Sequence, residues 1–175
     1  MTWYDTLAEI ISLRSFTSVW YWLSVAALWS TITHRGLGVP YDMILRASRE
    51  GCIGQAQVDL EDLVRINCNR FNFIMRSSGT LSVALTTFVV TALAVIGFYY
   101  KVEIAQAVIF ILAPFTLVGA TTAAYAKRIS EADLSGEALI KSLGRLRYLI
   151  QLIGVAAVFA TAFWGIWHNM TVSVL

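Results

Sequence analysis

Charge is scarce in this sequence and missing altogether from four long runs. Asp, Glu, Lys and Arg make up 14% of the 175 residues, against about 25% in soluble domains. None of the four falls within residues 15–33, 77–100, 104–126 or 148–175. Pumps, transporters and membrane enzymes usually place ionisable groups at membrane depth, so these bare runs speak against those classes. Cysteine is nearly absent as well. Cys52 and Cys68 have no C-x-x-C spacing and no second pair, which supports neither a disulfide framework nor a zinc or iron–sulfur site. A net charge of +2 is too small to suggest nucleic acid as a partner. Only two prolines, Pro40 and Pro114, interrupt the chain, so long helices meet few obstacles.

What is there is hydrocarbon. Hydrophobic residues make up 58% of the chain and the mean hydropathy is +0.68. A helix crosses the roughly 30 Å hydrocarbon core with about 20 residues, and each uncharged run is long enough. The expected fold is all-α: a polytopic membrane protein with four transmembrane helices in an antiparallel bundle. The spans fall at about residues 15–34, 77–100, 104–126 and 148–169. Two polar segments, 35–76 and 127–147, connect them as amphipathic helical extensions, and the chain forms a single domain.

The basic residues orient these spans. Arg35, Arg46, Arg49, Arg65, Arg70 and Arg76 lie in the first connecting segment, and Lys127, Arg128, Lys141, Arg145 and Arg147 in the second. Only Arg14 and Lys101 lie elsewhere. Short loops rich in Lys and Arg stay in the cytoplasm. The expected location is a bacterial inner membrane, with both large loops cytoplasmic and both termini periplasmic. Aromatic residues agree: Trp20, Tyr21, Trp22, Phe98, Tyr99, Tyr100, Trp164 and Trp167 sit where the outer interface should be, the level that amphipathic rings prefer. Residues 1–15 carry Asp5 and Glu9 with one Arg and do not read as a cleaved signal peptide.

Periodicity fills in the rest. Residues 3–13 read as an amphipathic helix with Thr2 and Asp5 spaced as a capping box. Gly36, Gly38 and Pro40 mark a turn, and residues 43–49 a short interfacial turn. Residues 58–76 read as a helix entering the second span, with Ser77, Ser78 and Gly79 as a possible kink; unbroken, residues 57–100 would extend about 66 Å. Lys101, Val102 and Glu103 force a hairpin. Pro114 should kink the third span, freeing a carbonyl that a nearby Thr could take. Ser130 and Asp133 suggest a second capping box. Packing the two extensions together would bring Glu131, Asp133 or Glu137 near Arg65 or Arg70.

Candidate chemistry is thin. His34 ends the first span at the inner face and His168 the fourth at the outer face, so they cannot hold one haem iron from two sides. Gly36-x-Gly38 lacks the third glycine of a dinucleotide loop, and the sequon at Asn169 hugs the membrane. Asp59, Glu61 and Asp62 form the densest acidic group, but neither a histidine nor a phosphate-binding motif stands nearby, and a dipole-favoured helix start accounts for them. No cofactor, metal set or acid–base constellation is visible, so the chain is not expected to be an enzyme. Arg65, Arg70 and Arg76 stand where anionic lipid headgroups lie. Gly119 and Ala123, and also Ala157, Thr161 and Gly165, recur every four residues. Such rows let helix backbones approach closely, either within the bundle or against another membrane subunit.

Three stretches carry a resemblance: Ser15-Phe16-x-x-Val19-Trp20-Tyr21-Trp22, Gly38-Val39-Pro40-Tyr41-Asp42-Met43-x-Leu45-Arg46-Ala47 and Asp59-Leu60-Glu61-Asp62-Leu63-Val64-Arg65-Ile66-Asn67. Together they resemble a family of small proteobacterial inner-membrane proteins, some labelled "component of SufBCD complex". The resemblance implies a link to iron–sulfur cluster assembly but assigns no residue a role. The expected function is a non-enzymatic accessory or scaffold subunit. Its partners would be membrane lipids and other integral subunits of a larger complex, respiratory or photosynthetic. The alternative is a small transporter or channel component, oligomeric if so, with Pro114 and Thr86, Thr87, Thr91, Thr116, Thr121 and Thr122 lining a polar path.

Overall fold

The computed structural model describes residues 16, 18–34, 36–50 and 54–172. The expected helix at residues 3–13 and Cys52 lie outside them. The described residues form five α-helices and no strand: α1 (Val19–His34), α2 (Tyr41–Glu50), α3 (Gln55–Ala94), α4 (Glu103–Glu131) and α5 (Gly136–Val172). Three helices are long and apolar enough to cross a membrane, at Gln55–Tyr99, Glu103–Glu131 and Gly136–Met170. The 16 residues of α1 are apolar too, but fewer.

α3 is unbroken for 40 residues. The Ser77-Ser78-Gly79 sequence does not break it; Ser78 donates its hydroxyl to the Ile74 carbonyl at 3.3 Å, and Gly79 is buried against Met75. Its last turn, Val95–Tyr99, widens to a π-helix. Lys101 then takes the left-handed region at φ 56°, and Val102 N–H donates to the Ile96 carbonyl at 3.3 Å. The chain reverses there, and α4 packs back along α3.

Pro114 sits inside a continuous α4. The carbonyl that a proline orphans lies four residues back, on Phe110, yet the Thr116 hydroxyl goes to Ala113 at 2.7 Å. The expected rescue by a threonine is therefore not the one made. The expected Ser130–Asp133 capping box is also absent: Ser130 belongs to the last turn of α4. Asp133 ends that helix in the left-handed region at φ 43°, with Leu134 N–H donating to the Ile129 carbonyl at 3.2 Å. This closing pattern satisfies carbonyls that a helix end leaves open.

The densest packing lies away from the hairpin. Leu37, Val39, Ile44, Ala47, Leu60, Val64, Leu139, Leu143 and Leu146 belong to one buried cluster, drawn from the link before α2, from α2 and from the first halves of α3 and α5. We call this the extension end, and the α3–α4 turn the hairpin end. α5 changes character between the two. Its inward row is Leu139, Leu143, Leu146 and Ile150 at the extension end, then Gly154, Ala157, Thr161 and Gly165 toward the hairpin. Large residues fill space among three helices. Small ones let α1 come close: a Cβ on Gly154 would meet the Trp29 ring at 3.0 Å.

Candidate functional site

The two small-residue rows have different surroundings. Ala157 and Thr161 are buried, Thr161 donates to the Ala157 carbonyl at 2.7 Å, and Gly165 lies against the Phe16 side chain. That row is taken up inside the chain. Gly119 is exposed, and a Cβ built on it meets nothing within 4 Å. With Ala123 it lines an apolar groove of about 560 Å³ between α3 and α4, together with Met75, Thr86, Leu112 and Phe115. Thr87 and Thr116 share this groove, whereas Thr122 is buried and Thr121 donates to the Val118 carbonyl at 2.9 Å. The threonines do not converge on a single path.

The arginines singled out by sequence are all exposed. Arg65 pairs with Asp62 on its own helix at 2.7 Å. No charge pair joins the two extensions among the described residues: Glu131 faces Lys127 at 3.7 Å and Glu137 faces Lys141 at 2.7 Å. Arg65, Glu131 and Glu137 thus pair a turn away on their own helices, the spacing that helix geometry favours. What joins α3 to the start of α5 is Glu61. Its Oε1 accepts the Gly136 N–H and the Gln57 Nε2–H, both at 2.7 Å. These two bonds, the Gly136 one foremost, hold the carboxyl below its ordinary range. Glu50 acts similarly, accepting the Ala56 N–H at the start of α3 at 3.3 Å. Glycine precedes or opens each of these helices and supplies no capping side chain, so a carboxylate from elsewhere does so.

The acidic group therefore diverges. Asp59 accepts from Gln55 at 3.0 Å, Asp62 holds Arg65, and Glu61 caps α5. Among the described residues no three His, Cys, Asp or Glu side chains are grouped to hold a metal ion. Glu61, Arg65, Cys68, Ser130, Asp133 and Ser135 line a groove of about 450 Å³ at the extension end. Cys68 is buried, and burial raises its thiol above the ordinary range, the opposite of what a reactive thiolate needs.

The hairpin end holds a polar cluster that sequence reasoning missed. Gln106 lies within an apolar run and is buried. Its Nε2–H donates to the Gly97 carbonyl in the π-turn at 2.7 Å, and its Oε1 accepts the Trp164 Nε1–H at 3.1 Å. A Cβ on Gly97 would meet Gln106 backbone nitrogen at 3.0 Å, so a side chain there would crowd this approach. Nearby, Glu103 Oε1 accepts the Phe16 N–H at 3.1 Å, its other oxygen lies 3.7 Å from His168 Nε2, and Tyr21 donates to the Ala107 carbonyl at 3.2 Å. Phe98, Phe110 and Trp164 pack edge to face or tilted around them. The one available signal was a lone amide in an apolar run, which must find a partner inside the protein. No protein-family model, curated protein or solved structure matches the chain, so function is argued from geometry alone.

Proposed function

We propose that the protein is a non-enzymatic inner-membrane accessory or scaffold subunit that docks through α3 on a larger membrane complex. The observation carrying this reading is the bareness of one helix. Only 6% of the most apolar 18 residues of α3 are buried, against 22% for α4 and 28% for α5. Leu81, Leu85 and Phe88 stand outward on it at helical spacing and are 61–71% exposed. Leu81 and Phe88 stay clear of the α3–α4 groove, and Leu85 lies on its rim.

In this reading four helices cross an antiparallel bundle, α1 being the fourth. Phe16, just ahead of α1, meets Glu103 at the hairpin end, and Leu37, just after it, belongs to the extension-end cluster with Leu60 and Leu146. The segment therefore runs from the hairpin end to the extension end. The basic residues orient the extension end to the cytoplasm and both termini to the periplasm. The extensions form a rigid cytoplasmic platform that Glu61 and the leucine cluster hold together.

The test is co-purification after mild detergent extraction. A partner chain should accompany the wild type and be lost from a Leu81→Ala/Phe88→Ala double variant that still inserts. Recovery of a lone chain in every mild detergent would remove the reading. Flux of a polar solute in proteoliposomes, abolished by substitutions at Thr86 and Thr116, would favour the transporter alternative instead.

A further inference from the structure

We infer that the groove between α3 and α4 is a binding site for one acyl chain of an anionic phospholipid in the cytoplasmic leaflet. Three observations carry this. First, the groove is built for a hydrocarbon chain. Its walls are apolar side chains and four hydroxyls, of which Thr116 already donates to Ala113, and the open face of Gly119 lies on its floor with no side chain to fill it. A helix about 10–12 Å across could rest on the rim but not enter. A single file of methylenes can enter, and each one buried adds affinity.

Second, the length suits one leaflet. From Leu112 to Ala123 the floor runs about 16 Å at 1.5 Å per residue, close to half of the roughly 30 Å hydrocarbon core. Third, the mouth carries charge of the right sign. Arg76 on α3 and Lys127 on α4 stand 25 and 26 residues from Lys101 at the hairpin, and hence at one level just past Met75 and Ala123. Arg128 adjoins them, and both Arg76 and Arg128 are exposed. Against these three cations stands Glu131, 3.7 Å from Lys127. A phosphate at this level would meet net positive charge while its chain followed the groove inward. The inference rests on α3 and α4 crossing the bilayer, not on docking through Leu81 and Phe88. A chain that carries lipid but no partner leaves it standing.

The test uses the full chain reconstituted in vesicles of mixed phosphatidylglycerol and phosphatidylcholine, released in mild detergent and weighed by native mass spectrometry. The wild type should retain one phospholipid, enriched in phosphatidylglycerol. Gly119→Phe projects a ring into the groove and should lower that occupancy on the order of tenfold, what about two methylenes losing their contacts are worth. Ala123→Leu, one turn along, should lower it as well. Arg76→Gln and Lys127→Gln should each reduce the preference for phosphatidylglycerol over phosphatidylcholine by about fivefold. Val155→Phe, on an exposed face of α5, should change neither. Unchanged occupancy in both Gly119→Phe and Ala123→Leu would overturn the site, as would equal loss in Val155→Phe or absence of retained lipid on the wild type. Dissociation of a dimer by Gly119→Phe with lipid unaffected would assign the groove to a second copy of the chain and overturn it too.

Discussion

Removing the Glu61 carboxylate should loosen the start of α5 without unfolding the spans. Glu61 reaches from α3 to the Gly136 N–H and is itself held by Gln57, both at 2.7 Å. A hydrogen bond to a charged group contributes about 1.5–3 kcal/mol, and a carboxylate at a helix start adds about 0.3–1 kcal/mol at low salt. Glu61 is half-buried, so solvent screens part of this and about 2 kcal/mol is the expected loss in Glu61→Ala. Amide exchange at residues 136–140, measured by mass spectrometry in nanodiscs, should then accelerate about 30-fold, since 1.4 kcal/mol is tenfold. Glu61→Gln keeps an acceptor but no charge and should show a smaller acceleration, about fivefold, for about 1 kcal/mol. The pH dependence follows from the sign of the shift. The folded carboxyl titrates below its ordinary value of 4.5, so its stabilisation is fully present above that value and fades as pH falls through the folded pKa. Protection of residues 136–140, corrected for intrinsic exchange, should decline below about pH 4.5 in the wild type and stay flat in Glu61→Gln. Unaltered exchange in Glu61→Ala, or the same decline in Glu61→Gln, would refute the argument.

Four further outcomes are expected. Gln106→Leu orphans the Gly97 carbonyl and the Trp164 N–H and should cost about 1–3 kcal/mol, read as a lower unfolding midpoint in detergent. Gly154→Leu drives a side chain into the Trp29 ring and should destabilise by about 1–3 kcal/mol, with a change in Trp fluorescence. Arg147→Ala removes the guanidinium 3.6 Å above the Tyr41 ring and should cost about 0.5–1 kcal/mol, detected as faster exchange in α2. In a cysteine-free background, Cys at Arg46 or Arg145 should resist a membrane-impermeant thiol reagent added outside whole cells, while Cys at Lys101 reacts; labelling of the first two would reverse the proposed orientation.

Much of the architecture was legible because lipid imposes simple rules. A helix must hide its backbone polar groups in hydrocarbon, so uncharged runs of about 20 residues stand out. The hairpin at Lys101, the turn at Gly36–Gly38 and the helix of residues 58–76 follow from short connections, glycine and periodicity. The site residues were harder to read. Gln106 was passed over because a single amide barely alters the hydropathy of its run, although its bonds to Gly97 and Trp164 span 9 and 58 residues. The role of Glu61 depends on Gly136, 75 residues away, and a capping motif read locally pointed to Ser130 and Asp133 instead.

The amino-acid order alone determined that this chain has helices suited to lipid, where they turn, and which end gathers the positive charge. Those properties depend on side-chain transfer energies and on neighbours three or four residues away. Only the tertiary structure decided that Ala157, Thr161 and Gly165 face inward while Gly119 and Ala123 open on a groove. Both rows carry the same four-residue period, and what distinguishes them is the helix that packs, or fails to pack, across each.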